Sequence, residues 1–350
     1  MTTAAPPARR PAAAAPRARH GRLALGLVAL VGLLLVVCFF SITMGSRAIT
    51  LPVIWDALTD VDPSSASQTV VREMRVPRTI LGVTVGAALG LGGAILQGVT
   101  RNPLADPGIM GVNAGAASFM VLAILVLGVG SLTSYIWFAF LGAAVAIVVV
   151  HGVASIGREG ATPVKLALAG AAVTAGLTSV TTAVVMTNLE ALNELRFWQV
   201  GTLAGRYAPV AWQTTPFILV GLVVALGMGR VLNGLALGDE MAVALGQRVR
   251  RTRVIAFATV ALLCGAATAA CGPVVFIGLV MPHVARMITG PDHRWILPYV
   301  AVLTPIVLLL ADIVARVATA PGELQVGVVL GVLGAPFFVF LVRYRSISEL

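Results

Sequence analysis

Apolar positions in this sequence come in long unbroken blocks, not in the alternation of a strand or the one-sided stripe of a soluble helix. Blocks at 23–44, 79–99, 108–128, 132–156, 164–187 and 209–231 each reach the length of about 20 residues that a helix needs to cross a hydrocarbon core of roughly 30 Å. A double-length block follows at 254–290, then two more at 296–318 and 324–342. Gly272 and Pro273 interrupt the double block where a helix must stop or kink, which divides it in two. The pattern predicts an all-α polytopic membrane protein of about ten transmembrane helices over residues 21–345, joined by short loops.

Composition and charge orient those spans. Hydrophobic residues make up 58% of the chain and charged ones 11%, so no stretch remains from which a soluble domain could be built. With the amino terminus inside, Arg9, Arg10, Arg17, Arg19, Arg22, Arg101, Arg158, Lys165, Arg230, Arg248, Arg250, Arg251, Arg253, Arg286, Arg294, Arg343 and Arg345 fall on the cytoplasmic side. Arg47, Arg72, Arg75, Arg78, Arg196, Arg206 and Arg316 fall outside. Seventeen against seven is the bias expected of ten spans with both termini cytoplasmic. The net charge of +10 is therefore a topology signal, and nucleic-acid binding, which needs a basic soluble face, is excluded. Residues 1–20, rich in Ala, Pro and Arg, predict a disordered cytoplasmic tail. The apolar run after them exceeds a signal-peptide core and ends without a small-residue cleavage site, so it predicts an anchor. Cys38, Cys264 and Cys271 all lie within spans and read as packing residues.

Little reactive chemistry survives inside the blocks. Asp312 is the one clear intramembrane carboxylate, and Arg316 four residues later shares its helical face, so the two are expected to neutralise each other. His151 and His283 lack metal-ligand spacing, and HExxH, CxxC and a nucleophile elbow are absent, so neither a metal site nor an enzyme is expected. A phosphate-binding P-loop needs GxxxxGK followed by Ser or Thr, whereas the single lysine, Lys165, lies between Val164 and Leu166. Any ATP-driven process must draw its ATP and Mg²⁺ through another chain.

Three shorter patterns stand out. Gly82, Gly86 and Gly90 form a small-residue stripe that lets helices approach closely. "TRNPLADPGIMGVNAGA", from Thr100, reads as a tight cytoplasmic turn between the second and third spans, with Asn102 and Asp106 as turn and cap residues. Residues 235–253, "LALGDEMAVALGQRVRRTR", gather Asp239, Glu240, Arg248, Arg250, Arg251 and Arg253 in a chain otherwise poor in charge. Asp239 suits a helix N-cap, Glu240 the first turn and Gly246 the stop, with Met241, Ala244 and Leu245 on one face. That amphipathic pattern fits a helix lying on the bilayer and a docking helix for a soluble partner equally well.

The blocks at 75–116 ("RVPRTILGVTVGAALGLGGAILQGVTRNPLADPGIMGVNAGA"), 232–253, 272–294 ("GPVVFIGLVMPHVARMITGPDHR"), 308–316 and 322–342 together resemble the FecCD permeases, membrane subunits of ABC importers for ferric siderophores, haem and cobalamin. The likeness runs from about residue 45 onward. It implies a cytoplasmic coupling loop at 233–253 in which Leu237, Gly238, Asp239, Glu240, Ala244, Leu245, Gly246 and Arg248 meet an ATPase. It implies that Arg75, Arg78 and Arg316 on the outer face receive acidic residues of a substrate-binding protein. It further implies that the fifth span lines the pathway through Thr174, Thr178, Ser179, Thr181 and Thr182, a weakly polar wall. The expected partners are two ATPase subunits, a binding protein and a second copy or homologous permease, in a bacterial cytoplasmic (inner) membrane. Ferric siderophore is the expected cargo, with cobalamin or haem as the alternative. An ion-coupled secondary transporter is the rival class, and it would need more intramembrane carboxylates than Asp312.

Overall fold

The computed structural model describes residues 16–45, 49–157, 162–319 and 322–344. In chain order the helices are α1 (Pro16–Thr43), α2 (Leu51–Thr59), α3 (Ala66–Thr69), α4 (Val76–Thr100), α5 (Val112–Leu127), α6 (Leu132–Ala154), α7 (Pro163–Thr187) and α8 (Leu189–Gln199). Then come α9 (Ala208–Gly227), α10 (Gly229–Ala236), α11 (Asp239–Ala244), α12 (Val249–Cys271), α13 (Ile277–Thr289), α14 (His293–Ala318) and α15 (Val326–Tyr344). A π-helical turn at Val70–Arg75 fuses α3 to α4, and a 3-10 turn at Pro107–Met110 precedes α5.

Among the described residues, seven helical columns are long and apolar enough to cross a membrane: α1, the α3–α4 column, α6, α7, α9, α12 and α14. The three shorter apolar helices α5, α13 and α15 complete the expected set. Their shortness has a local cause in each of two cases. The Pro107 turn uses up the start of the third span. At the predicted break, residues 272–276 leave the helix: Gly272 adopts φ +76° and Phe276 φ +67°, and α13 starts only at Ile277.

The amino-terminal boundary differs from expectation. Helix α1 already runs through residues 16–20, placed in the tail by composition alone, and residues 1–15 lie outside the described residues. Tertiary contacts supply what composition hides: Arg19 donates to the Thr289 carbonyl (2.9 Å) and the His20 ring lies 5.9 Å from that of Trp295.

Helix α4 is the hub, buried over almost its whole length against α14, α12, α9 and α13. Its glycine stripe makes this possible. A Cβ at Gly86 would stand 2.7 Å from the Pro305 Cα, so α4 and α14 touch backbone to backbone. Helices α5, α6 and α7 pack on one another and join the bundle mainly through α12, while α1 leans on α14, held by the Tyr299 hydroxyl on the Leu23 carbonyl (2.7 Å). Cys264 and Cys271 are buried free thiols, and Cys38 is half-buried.

Candidate functional site

At the end expected to face outward, Arg75 and Arg316, distant in sequence, converge on the end of α1. A helix leaves its last four carbonyls without intrahelical partners. Here Arg75 Nη1 donates to the carbonyls of Ile42 and Thr43 (2.8 Å each), and Arg316 Nη1 to those of Ser41 and Met44 (3.0 Å each). Cationic donors also suit the negative end of the helix dipole. Arg78 completes the group. Its Nε and Nη2 hold the Asp312 carboxylate (3.0 and 2.8 Å), and its Nη1 holds Glu323 (2.8 Å). Arg316 reaches the other Asp312 oxygen at 3.1 Å. The expected self-neutralising pair on α14 is therefore one half of a four-residue cluster, because the π-turn and first turn of α4 bring Arg78 alongside it and Arg78 in turn holds Glu323. Arg75, Arg78 and Arg316 are 5%, 8% and 2% exposed. They are embedded groups with internal partners, not free surface cations as sequence position implied. With Arg206, Tyr207 and Glu323 they line a small outer cavity of about 100 Å³.

At the other end of α4, expected to be cytoplasmic, Asp239 is the first residue of α11 and not its N-cap; that position belongs to Gly238, whose φ of +103° is open to glycine. The freed carboxylate binds two arginines: Arg101, the left-handed residue closing α4, at 3.1 Å, and Arg253 of α12 at 3.0 Å. One residue anchors the helix from within. Ala242 is the buried residue of α11, whereas Leu237, Met241, Val243 and Leu245 stand out from the surface. Glu240, Ala244, Gly246 and Arg248 are exposed with them. The segment thus carries an apolar patch with a charged border, held stiffly from behind. On that side, α10 is pinned by Asn233, whose amide donates to Asp292 (2.6 Å) and whose oxygen accepts from the His293 N–H (2.8 Å). Burial alone would raise the Asp292 pKa, but the Asn233 bond and the Arg294 N–H hold the carboxyl below its ordinary value.

The 101–111 turn connects this region to the rest of the bundle. His283 and Arg286 of α13 fix it. Since Arg286 can only donate to His283 Nδ1 (3.3 Å), the ring carries its proton on Nε2 and donates to the Pro103 carbonyl (3.0 Å). The far end of the turn lies against α7, where the Ile109 carbonyl abuts Gly170 and Gly111 faces Thr174.

The five α7 hydroxyls do not share one face. Thr181 turns inward to the Ser118 hydroxyl of α5 (2.8 Å) and Thr174 is half-buried, leaving Thr178, Ser179 and Thr182 exposed beside Gly176. Ser179 and Thr182 donate to carbonyls one turn back on α7 (2.9 Å each). Ser179 and Thr182 thus present small, neutral groups whose donors are already satisfied within the helix.

The profile of the FecCD transport family matches residues 33–344. The chain belongs to the FecCD transport family. It is 42% identical over 323 residues to the ferric enterobactin transport system permease protein FepD of Escherichia coli K12, covering 92% of this chain and 96% of that one. It is 38% identical over 328 residues to the cobalamin import system permease protein BtuC of Halobacterium salinarum, covering 89% and 86%. A solved inward-facing ABC transporter of the metal-chelate type superposes with a TM-score of 0.80 at 27% identity, over 91% of this chain and 99% of that one. This FecCD-family chain is thus an integral membrane transport protein with the helical architecture of an ABC permease.

Several residues that build these ends escaped the sequence reading. Glu323, Arg101 and Asn233 each lie within or beside a block that carried the family likeness, yet no local pattern reveals partners more than 50 positions away.

Proposed function

We propose that this chain is the membrane-spanning permease subunit of an ATP-driven importer for ferric siderophores, working in a bacterial inner membrane. Two copies, or this chain and a homologous permease, would enclose the pathway, with the small neutral wall of α7 on its surface. The chain itself performs no catalysis; ATP and Mg²⁺ belong to two separate ATPase subunits. The exposed apolar patch Leu237, Met241, Val243 and Leu245, bordered by Glu240 and Arg248, is the docking surface for one of them. It is the observation that supports the coupling reading, because Ala242 packs against the protein and leaves these four side chains free to meet a soluble partner.

The similarity to a ferric enterobactin permease supports a ferric chelate as cargo, and the similarity to a cobalamin permease keeps cobalamin as the second reading. Ion-coupled transport has less support. Asp312, the buried carboxylate that could carry a proton, is clamped between two arginines. At the outer face, the basic cluster around Arg78 would orient a loaded binding protein through its acidic side chains.

The test is uptake in a strain lacking this gene, supplied with labelled iron on a panel of siderophores and, in parallel, labelled cobalamin and haem. Loss of one siderophore class, restored by the wild-type gene, is the expected result. Loss of cobalamin or haem uptake alone would overturn the cargo.

A further inference from the structure

The outer cavity holds an unusual balance of charge. Arg75, Arg78, Arg206 and Arg316 line it, while the carboxylates drawn to them are Asp312 beneath and Glu323 at the rim. Among the described residues that is four cations against two anions.

The two carboxylates are not equivalent. Asp312 is 1% exposed at its side chain, takes the Nε–Nη2 edge of Arg78 with both oxygens, and is held again by Arg316. Glu323 sits in the non-helical stretch between α14 and α15, 32% exposed at its side chain. It meets Arg78 through one oxygen, Oε2, on the remaining Nη1 (2.8 Å). The first pair is built in. The second is held at a single point by a side chain open to solvent on one side, the geometry of a pair that another carboxylate can replace.

We infer that Glu323 is an internal stand-in for a carboxylate of the incoming binding protein, occupying the outward edge of Arg78 until that partner displaces it. This rests on the outer-face docking reading given above. The chemistry is a carboxylate exchange on one guanidinium, with no change of protonation. Asp312 and Arg316 hold Arg78 in place throughout, so its free edge stays aimed at the cavity mouth. A resident carboxylate does two things here. It keeps a desolvated cation paired when the partner is away, and it lowers affinity, so that a spent binding protein leaves. The length and acidity of the residue at 323 then tune docking strength without touching the cluster that holds α1.

The test uses the full permease–ATPase complex in nanodiscs and the importer's own purified, chelate-loaded binding protein. Its Kd is measured for wild type and Glu323→Gln across a salt series, and a photo-crosslinker placed at Tyr207, an exposed residue of the same cavity, reports where docking occurs. Glu323→Gln should bind about three- to fivefold tighter at low salt, the range an exposed ion pair's worth implies, and the gain should fade as salt rises. Glu323→Ala should behave alike, which separates charge removal from any particular replacement. Crosslinking at Tyr207 with an unchanged or weaker Kd would overturn the stand-in role while leaving the docking reading intact. No crosslink and no change in Kd would overturn both.

Discussion

Arg78 and Asp312 lie 234 positions apart in the chain and meet edge to edge, with Nη2 2.8 Å from Oδ1 and Nε 3.0 Å from Oδ2. Their contact joins α4 to α14 at the outer end, and Arg316 adds a second cation to the same carboxylate. The arrangement predicts an asymmetry. Removing Asp312 leaves two buried arginines facing each other, whereas removing Arg78 leaves Asp312 still paired. Breaking a buried pair costs about 3–5 kcal/mol, so Asp312→Ala should reach or exceed that range and Arg78→Ala should fall below it. Thermal unfolding of the purified variants reads the difference. Equal losses would show that Arg316 does not share the carboxylate.

Glycine positions separate packing from pathway. Gly86→Ala forces a Cβ to within 2.7 Å of the Pro305 backbone, which cannot yield as a flexible side chain would. A cost of about 1–3 kcal/mol is expected for such overpacking. A Cβ at Gly176 meets nothing within 4 Å. Gly176→Leu should therefore fold like wild type yet slow chelate uptake if α7 lines the route. Normal uptake by a well-folded Gly176→Leu protein would place the route elsewhere.

The Asp239–Arg101 pair offers a test of coupling that is independent of stability. Both side chains are more than 40% exposed, so losing the pair should change folding stability by less than about 1 kcal/mol. It nevertheless ties the proposed docking helix α11 to the 101–111 turn, which in turn rests on α7. Arg101→Asp should lower the chelate transported per ATP hydrolysed, and adding Asp239→Arg should restore part of it. If the ratio stays constant in both variants, the turn is not in the coupling route.

The end of α1 should respond to loss of its distant caps. Arg75→Met removes two bonds to the carbonyls of Ile42 and Thr43, each charge-assisted bond being worth about 1.5–3 kcal/mol. Hydrogen exchange over residues 40–45 should accelerate more than tenfold, with the cytoplasmic half of α1 unchanged. Uniform exchange along α1 would contradict capping by Arg75.

Much of the fold is written in single stretches of sequence. The apolar blocks give the spans, Gly272–Pro273 gives the break, and the Gly82–Gly86–Gly90 stripe gives a close backbone contact between α4 and α14, because each depends on residues near one another in the chain. The functional ends were legible only as locations. Asp239 looked like a cap because its local sequence is that of a cap, but Arg101 and Arg253 compete successfully for its carboxylate and Gly238 takes the cap position. Met241, Ala244 and Leu245 were legible as the outward apolar face by helical spacing, and all three are exposed; that Ala242 is the inward anchor of this six-residue helix depends on the flanking α10 and α12. Arg75, Arg78 and Arg316 were expected at one end of the bundle, and the structure brings them together there. Their burial could not be foreseen, since it depends on where α1 happens to terminate and on a carboxylate, Glu323, in a different loop.

The most direct measurement of the central claim is uptake into proteoliposomes holding this permease with its ATPase. Iron-labelled siderophore on the binding protein is supplied outside, and ATP with Mg²⁺ is enclosed or omitted. Accumulation that requires enclosed ATP, persists when the proton gradient is collapsed and vanishes without the binding protein is the predicted result. Accumulation driven by the proton gradient without ATP would contradict the account.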